Sequence, residues 1–465
     1  MRVIIAGVLL ALAFVSPAAA QTLNAHDALA RDIFRELVEI NTTDSSGSTT
    51  KAAEAMAARL KAAGFADADV RVIGPNDRKG NLVARLRGRG TAKPILLLAH
   101  IDVVEARRED WSPDLDPFRF IERDGFFYGR GTSDDKAQAA VWIANLIRYK
   151  QEGFVPERDL IVALTADEEG GTSNGVAWLL EHHRDLIAAE YVLNEGGDGE
   201  ISHGKAIANE IQAAEKVYHS VALEARNPGG HSSLPRKDHA IYQLAAALSR
   251  LAAFEFPVEL NDVTRGYFAR MAQIEKGQVA ADMKAVAAAT PDPAAVRRLA
   301  AASPLYNSVM RTTCVATQIS GGHAENALPQ TARAVVNCRI LPGIDPAAVE
   351  RTLTGVIADA GIAMSTVWKG VPSPASPLRP DLMAAIDRHT AELWPGVVVV
   401  PMMATGATDG VYLRNAGVPV YGVSGFFMDV DDVRAHGRDE RIGVREFFAG
   451  REFLYRLVKT LSSAR

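Results

Sequence analysis

Short apolar runs alternate with amphipathic segments along most of the chain. The stretches PILLLAH and DLIVALTA are continuous apolar runs, which are typical of strands buried on both faces. Between them, KAQAAVWIANLIRYK places apolar residues at helical spacing and predicts an amphipathic helix. Further strands are predicted at NLVARLRG and AEYVLNEGG, and a further helix at GVAWLLEHHRDL. The alternation predicts an α/β fold, a sheet flanked by helices on both faces.

The pattern changes at about Val217 and returns to its first form after Pro372. The intervening part contains the predicted strand VYHSVALEA, the predicted helix HAIYQLAAALSRLAAF and an Ala-rich helical stretch from Asp262 to Ala302. GIAMSTVWKG reads as a further strand near its end. A smaller α/β unit inserted into a larger one explains this order better than two units in tandem. The predicted limits are 21–214 and 373–465 for the larger unit and 215–372 for the insert.

The first residues, MRVIIAGVLLALAFVSPAAAQ, have the pattern of a secretory signal peptide. A basic start at Arg2 precedes an apolar stretch, and the small residues Ala18 to Ala20 follow it. We therefore expect a signal peptide over residues 1–20, cleaved after Ala20, and an exported protein, periplasmic or secreted, without a membrane span. The alternative is an uncleaved anchor helix, which is disfavoured because the apolar part is short for a bilayer.

Composition and charge exclude some classes of partner. The chain has 465 residues, of which 48% are hydrophobic, and this is enough for more than one core. Its formal net charge is −5 and it has no long run of Lys or Arg, so no nucleic-acid or anionic-membrane partner is indicated. A small polar ligand fits this composition better.

The two cysteines of the chain, Cys314 and Cys338, lie in the strand-like runs TTCVATQI and ARAVVNCRI. If these runs pair as a hairpin centred near Asn326, the two cysteines lie opposite each other. A cross-strand disulfide and two buried free thiols both stay open at this point.

Three consecutive carboxylates, Asp167, Glu168 and Glu169, end the apolar run LIVALTA. Like charges at a buried strand end repel one another unless a positive group compensates them, and a multivalent cation would do so. Other acids and histidines also follow predicted strands or glycine-rich turns: His100, Asp102, Asp134, Asp135, Glu195 and His436. Because strand ends in an open α/β sheet converge on one edge, we expect this set to meet. Histidines with carboxylates suit zinc, with manganese or cobalt as substitutes.

The ordered motifs HxD, GRGxxDxK, TADEEGG, NEGG and a late histidine in HGxxE resemble the M20 metallopeptidases. That family includes carboxypeptidase G-like, aminoacylase-like, acetylornithine deacylase-like and succinyl-diaminopimelate deacylase-like enzymes. The resemblance covers nearly the whole chain after the signal peptide. It implies a zinc-peptidase-like catalytic domain with a mixed sheet, an inserted lid or dimerisation domain, and two divalent metal ions, zinc first.

The same resemblance implies a role for each residue of the cluster. Asp134 would bridge the two metals, with His100 and Glu195 on one and Glu169 and His436 on the other. Asp102 would fix the His100 ring through a hydrogen bond, and Glu168 would be the general base. The peptide bond between Asp134 and Asp135 would be cis.

In the insert, three residues resemble the lid residues of the family. His231, in NPGGHSSLP, would reach across a homodimer into the partner's active site, and Asn326 and Arg339 would bind the substrate carboxylate. Gly406, in GATDG, resembles a loop that places backbone N–H groups near the substrate.

The implied reaction is hydrolysis of an amide bond next to a free carboxylate, in N-acyl amino acids or at the C-terminal residue of short peptides. A narrow-specificity deacylase or dipeptidase is the alternative within the same class. A non-catalytic binding protein on the same scaffold is the alternative from another class, and the retention of Glu168 and of every ligand type argues against it.

Overall fold

The structure, a computed structural model, describes residues 23–463, so the predicted signal peptide lies outside the described residues. The helices are α1 Ala25–Glu39, α2 Thr49–Ala62, α3 Lys136–Gln151, α4 Gly175–His182, α5 Ala240–Ala253, α6 Asp262–Met271, α7 Gly277–Ala287, α8 Pro293–Ala302, α9 Pro304–Met310, α10 Pro346–Ile357, α11 Pro380–Leu393, α12 Gly410–Asn415 and α13 Val444–Ser462. The strands are β1 Val70–Ile73, β2 Asn81–Leu86, β3 Ile95–His100, β4 Ile121–Arg123, β5 Phe126–Tyr128, β6 Leu160–Thr165, β7 Tyr191–Asn194, β8 Gly199–Ser202, β9 Lys205–Glu215, β10 Val217–Arg226, β11 Gly230–His231, β12 Thr313–Gly321, β13 Ala327–Leu328, β14 Thr331–Ile340, β15 Ile362–Trp368, β16 Val398–Ala404, β17 Val420–Gly422, β18 Phe427–Asp429 and β19 Arg441–Gly443.

A large mixed sheet forms the centre of the molecule. Its strand order is β1-β2-β6-β3-β7-β17-β9-β8-β18, with β16 beside β9. The pairs of β3 with β6 and with β7 are parallel, whereas β2 pairs with β6 antiparallel. Strands β3 and β6 are buried at every position, as their unbroken apolar runs predict.

Helices cover both faces of this sheet, as the sequence pattern predicts. Residues alternate between two cores along β3: Leu97 packs with α1, α2, α3 and α13, whereas Leu96 and Leu98 pack with α4 and α12. The predicted fold class, a mixed sheet flanked by helices with a smaller α/β unit, is confirmed.

The smaller sheet has the order β12-β14-β10-β15, and all three strand pairs are antiparallel. Helices α5 and α10 pack on one of its faces through a separate apolar core. We call this sheet with its two helices the lid. Its strands β10, β14 and β15 and helix α5 lie where the sequence pattern predicts them.

Helices α6 to α9 pack differently from the rest of the insert. Their apolar residues, among them Phe268 and Met283, form a core with Ala208 of β9 and Val400 of β16. They therefore lie against the large sheet and not against the lid sheet, an arrangement that the predicted insert 215–372 does not anticipate. The domain limits stay a prediction.

The two cysteines form a disulfide between neighbouring strands of the lid. Cys314 of β12 lies directly opposite Cys338 of β14 in the antiparallel register, which confirms the predicted hairpin pairing. Of the two alternatives left open by the sequence, the structure has the disulfide.

Among residues 23–463, no helix combines the length and the apolar character needed to cross a membrane.

Candidate active site and metal centre

The predicted acids and histidines meet at one edge of the large sheet. His100 ends β3, Glu169 follows β6 and Glu195 follows β7, so three neighbouring parallel strands carry them to the same edge. Asp134 lies in the turn before α3, and His436 lies in the loop before β19. The expected convergence of these five residues is therefore found.

Asp134 lies between two histidine–carboxylate pairs. Its Oδ1 is 2.9 Å from Nε2 of His100, and its Oδ2 is 3.1 Å from Nε2 of His436. Nε2 of His100 is also 3.3 Å from Oε2 of Glu195, and Nε2 of His436 is 2.8 Å from Oε1 of Glu169. One bridging carboxylate with a histidine and a second carboxylate on each side is the grouping that the motif resemblance implies. The ligand roles themselves stay predictions.

Asp135 adds a further carboxylate that the ligand set derived from sequence does not contain. It is buried, its Oδ2 has no hydrogen-bond partner among the described residues, and its carboxylate lies with ligand atoms of His100 and Glu195 within 4.8 Å of one another. A buried oxygen without a donor is costly unless a cation or another donor satisfies it. The peptide bond between Asp134 and Asp135 is cis, as the resemblance implies.

The electrostatics of the cluster show a surplus of negative charge. Burial acts to lower the pKa of His100, but the charge of Glu195 and the nearby aspartates outweigh burial and raise that pKa well above its usual value. Hydrogen bonds with Asp134 and Glu169 raise the pKa of His436 to about 10. Both imidazoles are thus held in an environment that favours positive charge. Because histidine nitrogen and carboxylate oxygen are ligands of divalent metals, this donor set fits two such ions.

Asp102 differs from its predicted role in one detail. Nδ1 of His100 lies 3.1 Å from the backbone oxygen of Asp102, whereas its distance to the carboxylate is 3.6 Å, beyond a hydrogen bond. The carboxylate instead accepts the backbone N–H groups of Glu168 at 3.1 Å and of Glu169 at 2.9 Å. Asp102 therefore holds the His100 ring through its backbone oxygen. Its carboxylate holds the loop that carries Glu168, the predicted base, and Glu169, a predicted ligand.

The charge of Asp167 is compensated by a lysine and not by the predicted metal site, contrary to what its place in the three-carboxylate run suggests. It is buried and forms an ion pair with Lys79, whose Nζ also lies 2.5 Å from Asp44. The second oxygen of Asp167 accepts the N–H of Ser173 at 3.0 Å. Asp167 has a left-handed φ of 57°, which a short acid tolerates better than most residues. The lysine therefore holds the first residue of the run so that the next two can face the cluster.

Glu440 holds the turn that presents Asp134. It is fully buried and pairs with Arg130 at 2.7 Å. Its other oxygen accepts the N–H groups of Ser133 at 2.8 Å and of Asp134 at 3.2 Å. Because Glu440 follows His436 by four residues, it ties the loop of one predicted ligand to the turn of another. The sequence motif HGxxE contains Glu440, but its role follows only from these contacts.

Glu168 lines an open cleft of about 530 Å³ beside the cluster. Burial and the neighbouring charge of Glu195 raise its pKa well above the usual value. A carboxyl group with a raised pKa is suited to accept and return a proton near neutral pH. The same cleft is lined by Arg339 from the lid and by Tyr218, Trp368, Thr408, Asp409 and Tyr412.

Asp409 is a further buried acid in the cleft wall. It accepts hydrogen bonds from Asn174 at 2.5 Å and Thr165 at 3.3 Å, and burial raises its pKa to about 7. The sequence pointed to the loop containing Asp409 only through Gly406. A Cβ at Gly406 would meet no atom within 4 Å, so packing within the described chain does not require glycine there.

The two other residues of the insert that the family resemblance assigns to substrate binding and catalysis do not line this cleft. His231 and Asn326 are exposed and come together on the short ribbon of β11 and β13, where the N–H of Ser232 donates to the backbone oxygen of Asn326 at 3.1 Å. Nδ1 of His231 is occupied locally by Ser233, whose hydroxyl lies at 2.7 Å. The structure therefore brings Arg339 to the site within one chain but neither His231 nor Asn326. Their roles stay predictions.

The chain is similar to known proteins over most of its length. Residues 96–460 match peptidase family M20/M25/M40. The chain is 29% identical over 388 residues to the N-fatty-acyl-amino acid synthase/hydrolase PM20D1 of Homo sapiens, covering 79% of this chain and 74% of that protein.

Two solved structures share the fold. The M20 family metallo-carboxypeptidase Sso-CP2 from Sulfolobus solfataricus has a TM-score of 0.67 at 16% identity, covering 92% of this chain and 98% of its own. The Bacillus subtilis YXEP protein, a dinuclear metal binding peptidase from the M20 family, has a TM-score of 0.60 at 14% identity, covering 94% and 99%.

The predicted bridging role of Asp134 determines how metal stoichiometry should respond to substitution. We expect the purified protein to bind about two zinc ions per chain. His436→Ala should leave one, because it removes a ligand of one pair only, whereas Asp134→Ala should remove both. Metal analysis after dialysis measures this, with His203→Ala, outside the cluster, as the matched control. Equal loss from His436→Ala and Asp134→Ala would contradict the bridging position.

The ion pair between Lys79 and Asp167 predicts a stability effect. Lys79→Met leaves a buried carboxylate without its cation and should lower the free energy of unfolding by about 3 kcal/mol. It should also speed amide hydrogen exchange in residues 167–173. Adding Asp167→Asn removes the unpaired charge and should restore part of the stability.

The control is Lys61→Met, which breaks an exposed ion pair with Asp67 and should change neither quantity. Thermal unfolding and exchange mass spectrometry provide the two measurements. Unchanged exchange in 167–173 for Lys79→Met would show that the lysine does not anchor this loop.

Proposed function

Since this chain belongs to peptidase family M20/M25/M40, we propose that it is an exported two-metal hydrolase that cleaves the amide bond next to a free carboxylate. Its substrates would be N-acyl amino acids or short peptides cut at the C-terminal residue. One observation carries the proposal: Glu168, a suitable base, and Arg339, a suitable carboxylate ligand, line one cleft beside the paired histidine–carboxylate cluster. Such a cleft can hold both ends of this kind of substrate.

Similar proteins support the substrate class. The human relative is named for N-fatty-acyl-amino acids, and the archaeal structure is a metallo-carboxypeptidase. An N-acyl amino acid and a peptide C-terminus share one chemical feature, an amide one carbon away from a carboxylate. The Bacillus subtilis protein, a dinuclear metal binding peptidase, supports two ions. Here His100, Asp134 and Glu195 would hold one ion, and Asp134, Glu169 and His436 would hold the other.

The chain's own residues then divide the work of hydrolysis. Bound divalent cations would lower the pKa of a water molecule and polarise the scissile carbonyl. The carboxylate of Glu168 takes the proton of the attacking water and returns it to the leaving nitrogen. The Arg339 guanidinium binds the substrate carboxylate and thereby sets the position of the amide. Asp102 and Lys79 keep the Glu168 loop in place for these transfers.

A homodimer through the lid is also proposed. His231 is exposed and lies outside the cleft of its own chain, so a second copy is the simplest way to bring it near the reacting carbonyl. The outer strand β12 exposes Val315 and Ile319, at 60% and 68% of their surface, which is unusual for apolar residues on an edge strand. In such a dimer, the partner's imidazole would stabilise the developing oxyanion.

Export is proposed from the N-terminal pattern together with the disulfide between Cys314 and Cys338, since disulfides persist in oxidising compartments. N-terminal sequencing of the protein recovered from the periplasm or medium tests this. A first residue of Gln21 supports the proposal, and retention of an intact N-terminus in the cytoplasm contradicts it.

The proposed activity predicts amino-acid release from N-acyl amino acids and dipeptides by the mature, zinc-loaded protein. Glu168→Gln keeps the shape of the side chain but loses the base, so kcat should fall by about 10²–10⁴-fold. Amino-acid analysis over a substrate panel measures both proteins. Because Glu168 faces the cleft, the variant should keep its two metals, and metal analysis of the same samples controls for that. Equal turnover by both proteins would refute Glu168 as the base.

The proposed dimer predicts complementation between two inactive variants. A His231→Ala chain keeps Glu168 and can receive the histidine of a Glu168→Gln chain, so each mixed dimer contains one competent site. Mixing the two after mild dissociation should therefore restore activity, as measured by amino-acid release. Mixing two samples of Glu168→Gln is the control. No recovery, with subunit exchange shown by mass spectrometry of labelled chains, would place His231 in its own chain's site or outside catalysis.

A further inference from the structure

One face of the lid sheet is covered by helices, and three residues of the other face line the cleft. On β10, Val217, Val221 and Leu223 are buried in the core with α5 and α10. Residues at alternate positions of the strand, Tyr218 and Ser220, point to the opposite face. Tyr218 is one of these, and it lines the cleft together with Glu168.

Arg339 and Trp368 lie on the same open face as Tyr218. Tyr218 is directly opposite Arg339 of β14, and Ser220, two residues further on, is opposite Trp368 of β15. The Arg339 Cζ lies 4.7 Å from the centre of the Tyr218 ring, a cation–π contact. The Tyr218 and Trp368 rings meet edge to face, with centres 6.3 Å apart and an interplanar angle of 82°. We call Tyr218 and Trp368 the aromatic shelf.

The exposure of the aromatic shelf is unusual for residues of its type. Trp368 is 62% exposed and Tyr218 is 40% exposed, although aromatic side chains gain most from burial. Both border the cleft that also contains Glu168 and Glu169. Exposed apolar surface next to a polar reactive centre is typical of a ligand-binding surface.

Arg339 determines which part of a ligand the shelf would contact. One nitrogen, Nη1, donates to the backbone oxygen of Thr405 at 3.1 Å, which fixes the guanidinium over Tyr218. The structure shows no partner for its other nitrogens among the described residues, and these can bind a carboxylate. In an amino acid, the side chain is attached to the carbon that bears the carboxylate. The chain of the acyl group extends from the scissile carbonyl in the direction away from that carboxylate.

We infer that the aromatic shelf is the subsite for the side chain of the released amino acid, and that it selects large apolar or aromatic side chains. This rests on the proposed function, because it takes Arg339 as the carboxylate ligand. A phenyl ring or a branched alkyl group on the substrate would cover Trp368 and the free edge of Tyr218. A small side chain such as that of alanine would leave both rings in water. A large side chain would therefore remove more apolar surface from water than a small one, and this is the physical reason for the preference for large side chains.

The test compares specificity ratios so that changes in overall activity cancel. The substrates are N-acetyl-phenylalanine, N-acetyl-alanine and N-octanoyl-phenylalanine, of which the first pair differs in the amino acid and the first and third differ in the acyl group. For Trp368→Ala, the phenylalanine-to-alanine ratio of kcat/KM should fall by about tenfold, the effect expected when an aromatic partner is removed. The octanoyl-to-acetyl ratio should stay the same.

The control is Val367→Ala, the neighbouring residue of β15, which is 50% exposed and does not line the cleft. It should change neither ratio. A fall in the octanoyl-to-acetyl ratio for Trp368→Ala, with the amino-acid ratio unchanged, would show that the shelf holds the acyl chain and would overturn the inference. Two unchanged ratios would overturn it as well.

A binding measurement separates this inference from the proposed hydrolysis. Calorimetry of zinc-loaded Glu168→Gln with N-acetyl-phenylalanine and N-acetyl-alanine needs no turnover. Tighter binding of the phenylalanine compound that is lost in Glu168→Gln/Trp368→Ala supports the shelf, even if the wild-type protein hydrolyses neither compound. Equal binding of the two compounds refutes the shelf, even if hydrolysis is confirmed.

Discussion

The structure depends on the placement of many carboxylates at one edge of a sheet. Parallel strands bring Asp102, Glu169 and Glu195 to the same edge, and such a concentration of like charge opposes folding unless each acid has a compensating partner. The molecule meets this requirement in three ways. Lys79 and Arg130 pair with buried acids that are not predicted ligands, backbone N–H groups bind the carboxylate of Asp102, and the two histidines contact the predicted ligand carboxylates. The candidate metal centre is therefore one part of a larger balance of charges.

The acids that have such partners also shape the loops around the centre. Asp102 accepts two backbone N–H groups of the Glu168 loop, and Glu440 accepts those of the turn before α3. In each case a carboxylate replaces the regular hydrogen bonds that a loop lacks. Some carboxylates thus face the candidate metal centre, whereas others hold the loops that carry it. The carboxylates of the second group are buried and bound by backbone N–H groups.

Much of the fold follows from local pattern, and the rest depends on pairings that the pattern does not contain. Strands β3 and β6 and helix α3 could be predicted because unbroken apolar runs and helical spacing are strong local signals. The register of Cys314 with Cys338 follows only on the condition that the two strand-like runs pair about a centre near Asn326. Strand β9, with its interspersed charged residues, has no such signal. The partner of Asp167 is 88 positions away, and the shared face of Tyr218 and Trp368 depends on a register shift between β10 and β15. The acids and histidine that follow β3, β6 and β7 could be expected to converge because strand ends of an open sheet share one edge, whereas His436 could be selected only through the motif that resembles the M20 metallopeptidases.

The contact between Glu440 and the backbone of Asp134 spans 306 positions of the chain. During synthesis the N-terminal part of a protein emerges and begins to fold first. The turn that presents Asp134 is therefore translated long before Glu440 and His436 exist to fix it. Formation of the complete centre must wait until translation is nearly finished. A chain that ends just before residue 436 would contain all the described strands of the large sheet but lack one of the predicted metal ligands.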